Sequence, residues 1–193
     1  MTSRHAHQGI PEHFTACIGA LASVRVRPEV TLSDLPAPRR IAPFTTALGA
    51  EVVLPGEEDE SAQGRFVVLH DPDPPDVWEG SWRVVTLSTA QIEPELGADP
   101  LLSEVGWSWL CDALNGAGVG HRALGGTVTR VISRSFGSLE TRPGTVEIEL
   151  RASWTVDGKD LRRHLQIWTD LLCTLAGLPP LPDGVVSFPG ARR

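Results

Sequence analysis

Tyrosine is absent from this chain, and methionine and lysine occur once each. No stretch approaches the roughly 20 consecutive apolar residues that a membrane-spanning helix needs, so no contact with a membrane interior is expected. The first sixteen residues hold no basic segment followed by an apolar core, which removes a secretory leader from the expectation. Cysteine is scarce: Cys17, Cys111 and Cys173 are odd in number, far apart, and each lies in an apolar helical pattern. That argues against a disulfide framework or a zinc site and for small buried thiols in a reducing compartment, so the chain reads as cytoplasmic. No cofactor motif stands out either: Gly116, Gly118 and Gly120 follow a helix instead of linking a strand to one, and Ser108 lacks the second glycine of a nucleophile elbow. No cofactor and no metal site are expected.

What is present describes an ordinary globular chain. Its 193 residues, 41% apolar and 21% charged, predict a single domain over residues 11–188 with tails at 1–10 and 189–193. The net charge is −7, laid out unevenly: residues 41–120 hold two arginines against fourteen acids, while both flanking regions are net basic. An acidic protein of this kind is a poor binder of phosphate backbones, so nucleic acid is not an expected partner, although Arg25, Arg27, Arg39 and Arg40 form the segment through which RNA would be met.

Hydrophobic spacing predicts the elements. Pro11 and Glu12 open a helix carrying Phe14, Cys17, Ile18, Leu21 and Val24 at three-and-four spacing. The proline-punctuated stretch 27–38 reads as extended chain over the surface, and Pro43 as the start of a short helix with Phe44 and Leu48. Five strands follow: 51–54, 65–70, 82–90, 127–136 and 145–154. The run RFVVLH is nearly continuous in apolar residues, as in a strand covered on both faces, whereas Val146, Ile148, Leu150, Ala152 and Trp154 alternate with polar residues. A helix lined by Val105, Trp109, Leu110, Ala113 and Leu114 separates the third and fourth strands. A final helix from Asp160 bears the stripe Leu161, Leu165, Trp168, Leu172 and Leu175. Hairpin-like spacing of the strands then predicts an α+β fold: a largely antiparallel sheet of about five strands with helices packed on one face.

The phrases LPAPRRIAPFTTALGAEV, WEGSWRVV, ADPLLSEVGWSWL and WTDLLCTLAGLPPLPDGVV resemble an actinobacterial family catalogued as domain of unknown function 3000. The likeness runs from about Phe14 to Val186. It implies a bacterial cytoplasmic domain, and carries no activity, ligand or catalytic residue onto any position.

Candidate functional residues come from composition and position. His70 and Asp71 end a strand and enter HDPDPPD, where a histidine with Asp71, Asp73 and Asp76 has the residue types of a small metal-dependent enzyme or hydrolase, with His121 or His164 folded nearby. Trp109, Trp154 and Trp168 fall on apolar helix or strand faces. Trp78, Trp82 and Trp107 do not, and a tryptophan offers large rigid contact area. Arg130, Arg134, Glu147, Glu149 and Arg151 are placed to form cross-strand ion pairs. With no catalytic constellation of recognisable spacing, the leading expectation is a non-enzymatic binding or regulatory domain acting through an unidentified protein partner. Its expected contact residues are Trp78, Glu79 and Arg83, with His70 and Asp71. The metal-dependent enzyme and an RNA-associated protein are the alternatives.

Overall fold

The structure, a computed structural model, describes residues 11–97 and 99–180; the expected tails and the last residues of the expected domain lie outside them. A period of two organises most of this span. Strands β1 (Val30–Leu35), β2 (Phe44–Val52), β3 (Ala62–His70), β4 (Trp82–Ile92), β5 (His121–Ser133) and β6 (Thr145–Val156) form one sheet in the order β1-β2-β3-β4-β6-β5, with every neighbouring pair antiparallel. The first four make a meander. The helical connection α2 (Pro94–Gly97) and α3 (Leu102–Gly116) then carries the chain past the place of β6 to the sheet edge, and β6 returns between β4 and β5. With α1 (Glu12–Leu21) and α4 (Leu161–Leu175) packed on the same face as α3, the molecule is α+β.

The sheet has six strands instead of five, and the reasons are local. Phe44 and Leu48, read as one helical turn, begin β2: a spacing of four is a multiple of two as well as close to a helical turn, and the threonines between them favour the pleated form. The stretch after Arg27, expected to cross the surface, contains the short edge strand β1, with Pro28 and Pro36 confined to its flanks, where no ladder donor is needed. β5 begins six residues earlier than expected, its start hidden by Gly125, Gly126 and a register shift between Arg122 and Gly125.

Alternate residues of the strands fill the interior: Phe66 and Val68 of β3, Val84 of β4, and Ile148, Leu150 and Trp154 of β6. Ten of the fifteen residues of α4 are buried, because it packs against α1, α3 and strands β2 to β4 at once. The buried face of α3 is Leu102, Gly106, Leu110 and Leu114; Val105, expected in the interior, is exposed and Trp109 is half-buried. Trp168 donates from Nε1 to Ser88 Oγ at 3.0 Å. The three thiols are free; burial raises those of Cys17 and Cys111 and pushes Cys173 up to about 12. Among the described residues no helix is long and apolar enough to cross a membrane.

Candidate functional site

Strand alternation decides which candidate residues can meet. His70 closes β3 opposite Trp82, the first residue of β4, and both turn toward the helices. His70, 4% exposed, stacks on Trp82 with ring centroids 4.3 Å apart and lies among Phe14, Phe44 and His13. Its Nδ1 is 3.0 Å from the Ser81 carbonyl, which can only accept, so Nδ1 carries the proton. Nε2 is then an acceptor, and His13 Nε2, 3.0 Å away, donates to it. Burial lowers the His70 pKa and His13 acts in the same direction, while the Ser81 carbonyl and Asp71 oppose the shift. Both ring nitrogens are thus engaged inside the fold, pinning α1 to the end of the sheet.

Asp71 leads off the other way. Its backbone N–H donates to Ser81 O at 3.0 Å and its Oδ1 accepts from the Asp73 N–H at 3.0 Å, closing loop 71–81 at its base. Asp73 and Asp76 are exposed, and among the described residues no three His, Cys, Asp or Glu side chains gather as a metal would require. His164, like His70, is buried; its Nδ1 accepts from Trp154 Nε1 at 3.2 Å and its Nε2 has no hydrogen-bond partner among the described residues. Burial lowers its pKa to about 4, with His121 adding to the shift and Asp160 opposing it.

Trp78, Glu79 and Arg83 belong to the opposite, helix-free face of the sheet. Loop 71–81 folds back over that face, where Trp78 packs beside Ala47, Val67, Leu69 and Val85. The loop is braced from below: Thr155 Oγ1 donates to the Trp78 carbonyl, and Arg122 Nε donates to the Glu79 carbonyl at 3.2 Å. Glu79 takes a left-handed φ of 57°, and a Cβ at Gly80 would sit 2.7 Å from Thr155, so the loop approaches β6 as closely as glycine permits. Arg83 clamps three strands together, donating to Thr155 Oγ1 at 3.1 Å, Ser153 Oγ at 2.7 Å and the Ala123 carbonyl at 3.2 Å. Burial lowers its pKa and Glu79 opposes that. The five candidate residues are therefore divided between two faces, and Arg83 is largely spent on the fold.

Beyond the reach of the loop the same face stays open. A groove of about 290 Å³ runs there across β3, β4, β6 and β5, floored by Val67, Val85 and Leu87. In the strand register Arg65 and Arg151 stand on either side of Leu87, and Ser153 and Gly125 continue the row of Val67 and Val85. Arg151 pairs with Glu149 at 2.8 Å along its own strand, whereas Arg65 is exposed with no hydrogen bond or ion pair among the described residues. The expected cross-strand ladder does not form, since Arg130 faces the helix side and donates to the carbonyls of Gly97 and Asp99. The groove escapes sequence reasoning because its residues come from four strands. One signal for it exists: Val67 and Leu69 make RFVVLH apolar on both faces, and Trp78 covers only part of the second face.

Comparison with known proteins adds a family and no relative of known activity. No curated protein and no solved structure matches the chain. The family model described as "Protein of unknown function (DUF3000)" matches residues 10–186, and the chain belongs to that family.

Proposed function

We propose that this chain is a non-enzymatic binding or regulatory domain of the actinobacterial cytoplasm that acts through protein–protein contacts, and that its contact surface is the open part of the helix-free sheet face. The observation that carries the reading is the groove: an apolar floor of Val67, Val85 and Leu87 between two arginines, beside the loop whose Trp78 covers part of that face. Apolar floor and cationic rim together suit an acidic segment of a partner that inserts one or two aliphatic side chains, with arginine forks able to take carboxylates in bidentate fashion. Arg65, Arg83, Arg122 and Arg151 lie on this face; Arg151 is paired with Glu149, and Arg83 and Arg122 are bonded within the fold, so the attraction rests chiefly on Arg65 and falls with salt. Trp78 serves this surface by packing the covering loop onto the sheet, and Arg83 by holding Thr155, whose hydroxyl donates to the Trp78 carbonyl.

The test uses fluorescence anisotropy with a labelled peptide of alternating glutamate and leucine, and a lysine–leucine peptide as its counterpart. Wild type should bind the acidic peptide in a salt-sensitive way and a double variant, Arg65→Glu with Leu87→Ser, should lose it. The same variant should lose a specific protein retained by wild type in a pull-down from native lysate. Equal binding of both peptides, or an unchanged protein retained by the variant, would remove the groove as the contact surface.

A further inference from the structure

The two edges of the sheet differ in how they are guarded. An exposed strand edge offers unpaired N–H and C=O groups to other chains, and natural proteins blunt such edges with short strands, prolines and charges. β1 follows this pattern: six residues, an aspartate at position 34, and prolines at 28 and 36 on its flanks. β5 does not. After the irregularity at Arg122, Gly125 to Ser133 run in unbroken register along β6, with no proline, lysine or acid among them. The lone charge of this run, Arg130, is turned away to the carbonyls of Gly97 and Asp99.

The exposed apolar side chains gather at the same edge. Of the nine large hydrophobic residues exposed on the described surface, Val131, Ile132, Phe136 and Leu139 lie at or just beyond the end of β5, and Leu96, Leu101 and Val105 lie on the segment that Arg130 ties to it. Phe136 is 78% exposed. Val131 and Ile132 turn to opposite faces of the strand, so apolar side chains flank both sides of an edge that has no backbone partner among the described residues, and exposed apolar groups so placed mark an interaction surface.

We propose that β5 is a self-association edge: two copies of this chain pair their β5 strands antiparallel about a two-fold axis, joining two six-stranded sheets into one. An antiparallel strand offers its own copy the same alternating donors and acceptors, so the contact is self-complementary and closes. Pairing that uses the whole run from Gly125 to Ser133 sets Thr129 on the axis and brings Ile132 beside Gly126 of the second copy. Half-buried Trp107 packs onto the Gly126 backbone and fills the place of a side chain there, so Ile132 would meet an aromatic surface. The β5 run and the two apolar segments amount to about two dozen residues, within the roughly 20–30 a side of a stable interface.

Sedimentation of the full chain in physiological salt, across micromolar to submillimolar concentration, tests this. Wild type should sediment as a monomer–dimer equilibrium. Thr129→Lys places two ammonium groups face to face in the dimer, yet sits opposite Glu149 in the monomer, so it should raise the dimer Kd about a hundredfold while a cooperative melt persists. Phe136→Ser, outside the strand, should weaken the dimer in the same direction. Thr31→Lys on β1 should leave it unchanged. A wild type that stays monomeric at every concentration overturns the proposal. So does a dimer that survives Thr129→Lys, or one that Thr31→Lys disrupts equally. The groove lies on a face and this contact on an edge, so either can fail alone.

Discussion

On the helix-covered face of the sheet, Phe66, Val84 and Trp154 are wholly buried, and their neighbours are set by contacts from three long helices. On the opposite face the same strands meet Trp78 of an eleven-residue loop together with Leu35 and Ala42: Val67 and Leu69 are buried there, Val85 is half-buried, and Arg65 is exposed. Burial that falls away across one face leaves apolar and charged side chains side by side at a depth a ligand can reach. On the covered face the strand side chains are packed out of solvent, so substitution there is costly.

The sharpest way to break this comparison is to cut into the covered face. Trp168 is fully buried, lies against Phe66 and the backbone at Gly64, and donates to Ser88. Trp168→Ala should lower unfolding free energy by about 3–5 kcal/mol, read from urea denaturation. A loss under about 1 kcal/mol, the scale of a surface substitution, would mean the helices do not pack there as described.

Acid probes the same interior without removing an atom. His164 is neutral in the fold, with a pKa lowered from 6.5 to about 4 by burial. Between those values the unfolded chain takes up a proton that the folded chain refuses, so stability is full above pH 6.5 and is lost as pH falls toward 4. The loss is about 1.4 kcal/mol per pH unit and about 3 kcal/mol in all. His70 is shifted the same way and adds to the slope. His164→Gln keeps an acceptor for the Trp154 N–H and removes the titration. Urea midpoints measured from pH 7 to pH 4 should therefore fall less steeply in the variant, and equal slopes would place the acid sensitivity elsewhere.

The covered face was legible because its signals are local and periodic. Ile148, Leu150 and Trp154 announce a strand, and Leu161, Leu165, Trp168 and Leu172 a helix, each within one continuous segment. Phe44 and Leu48 misled because their spacing satisfies two periods at once, and β1 was masked by flanking prolines. The candidate site was harder. Trp82 and Arg83 are adjacent in sequence and point to opposite faces, so a contact surface drawn as one stretch from Trp78 to Arg83 mixes a residue stacked on His70 with one clamped to Ser153. Arg65, Leu87 and Arg151 come together only through strand order, which places β6 between β4 and β5, and no local pattern encodes that insertion.

The smallest expected effect is the most telling about the open face. Gly125 lies in β5 on the groove side, opposite Ser153, and a Cβ there would meet nothing within 4 Å. Its backbone does not have the positive φ that favours glycine, so Gly125→Val introduces no strain and raises strand propensity. Stability should stay within about 0.5 kcal/mol of wild type or rise slightly. The isopropyl group would stand in the groove beside Ser153, one strand from Val85, where it should displace the acidic leucine-bearing peptide and raise its anisotropy Kd at least several-fold. A variant that loses stability on the scale of Trp168→Ala would show that the open face is packed as tightly as the covered one. A variant of unchanged stability and unchanged affinity would show that the space above Val67, Val85 and Leu87 is not where the peptide sits.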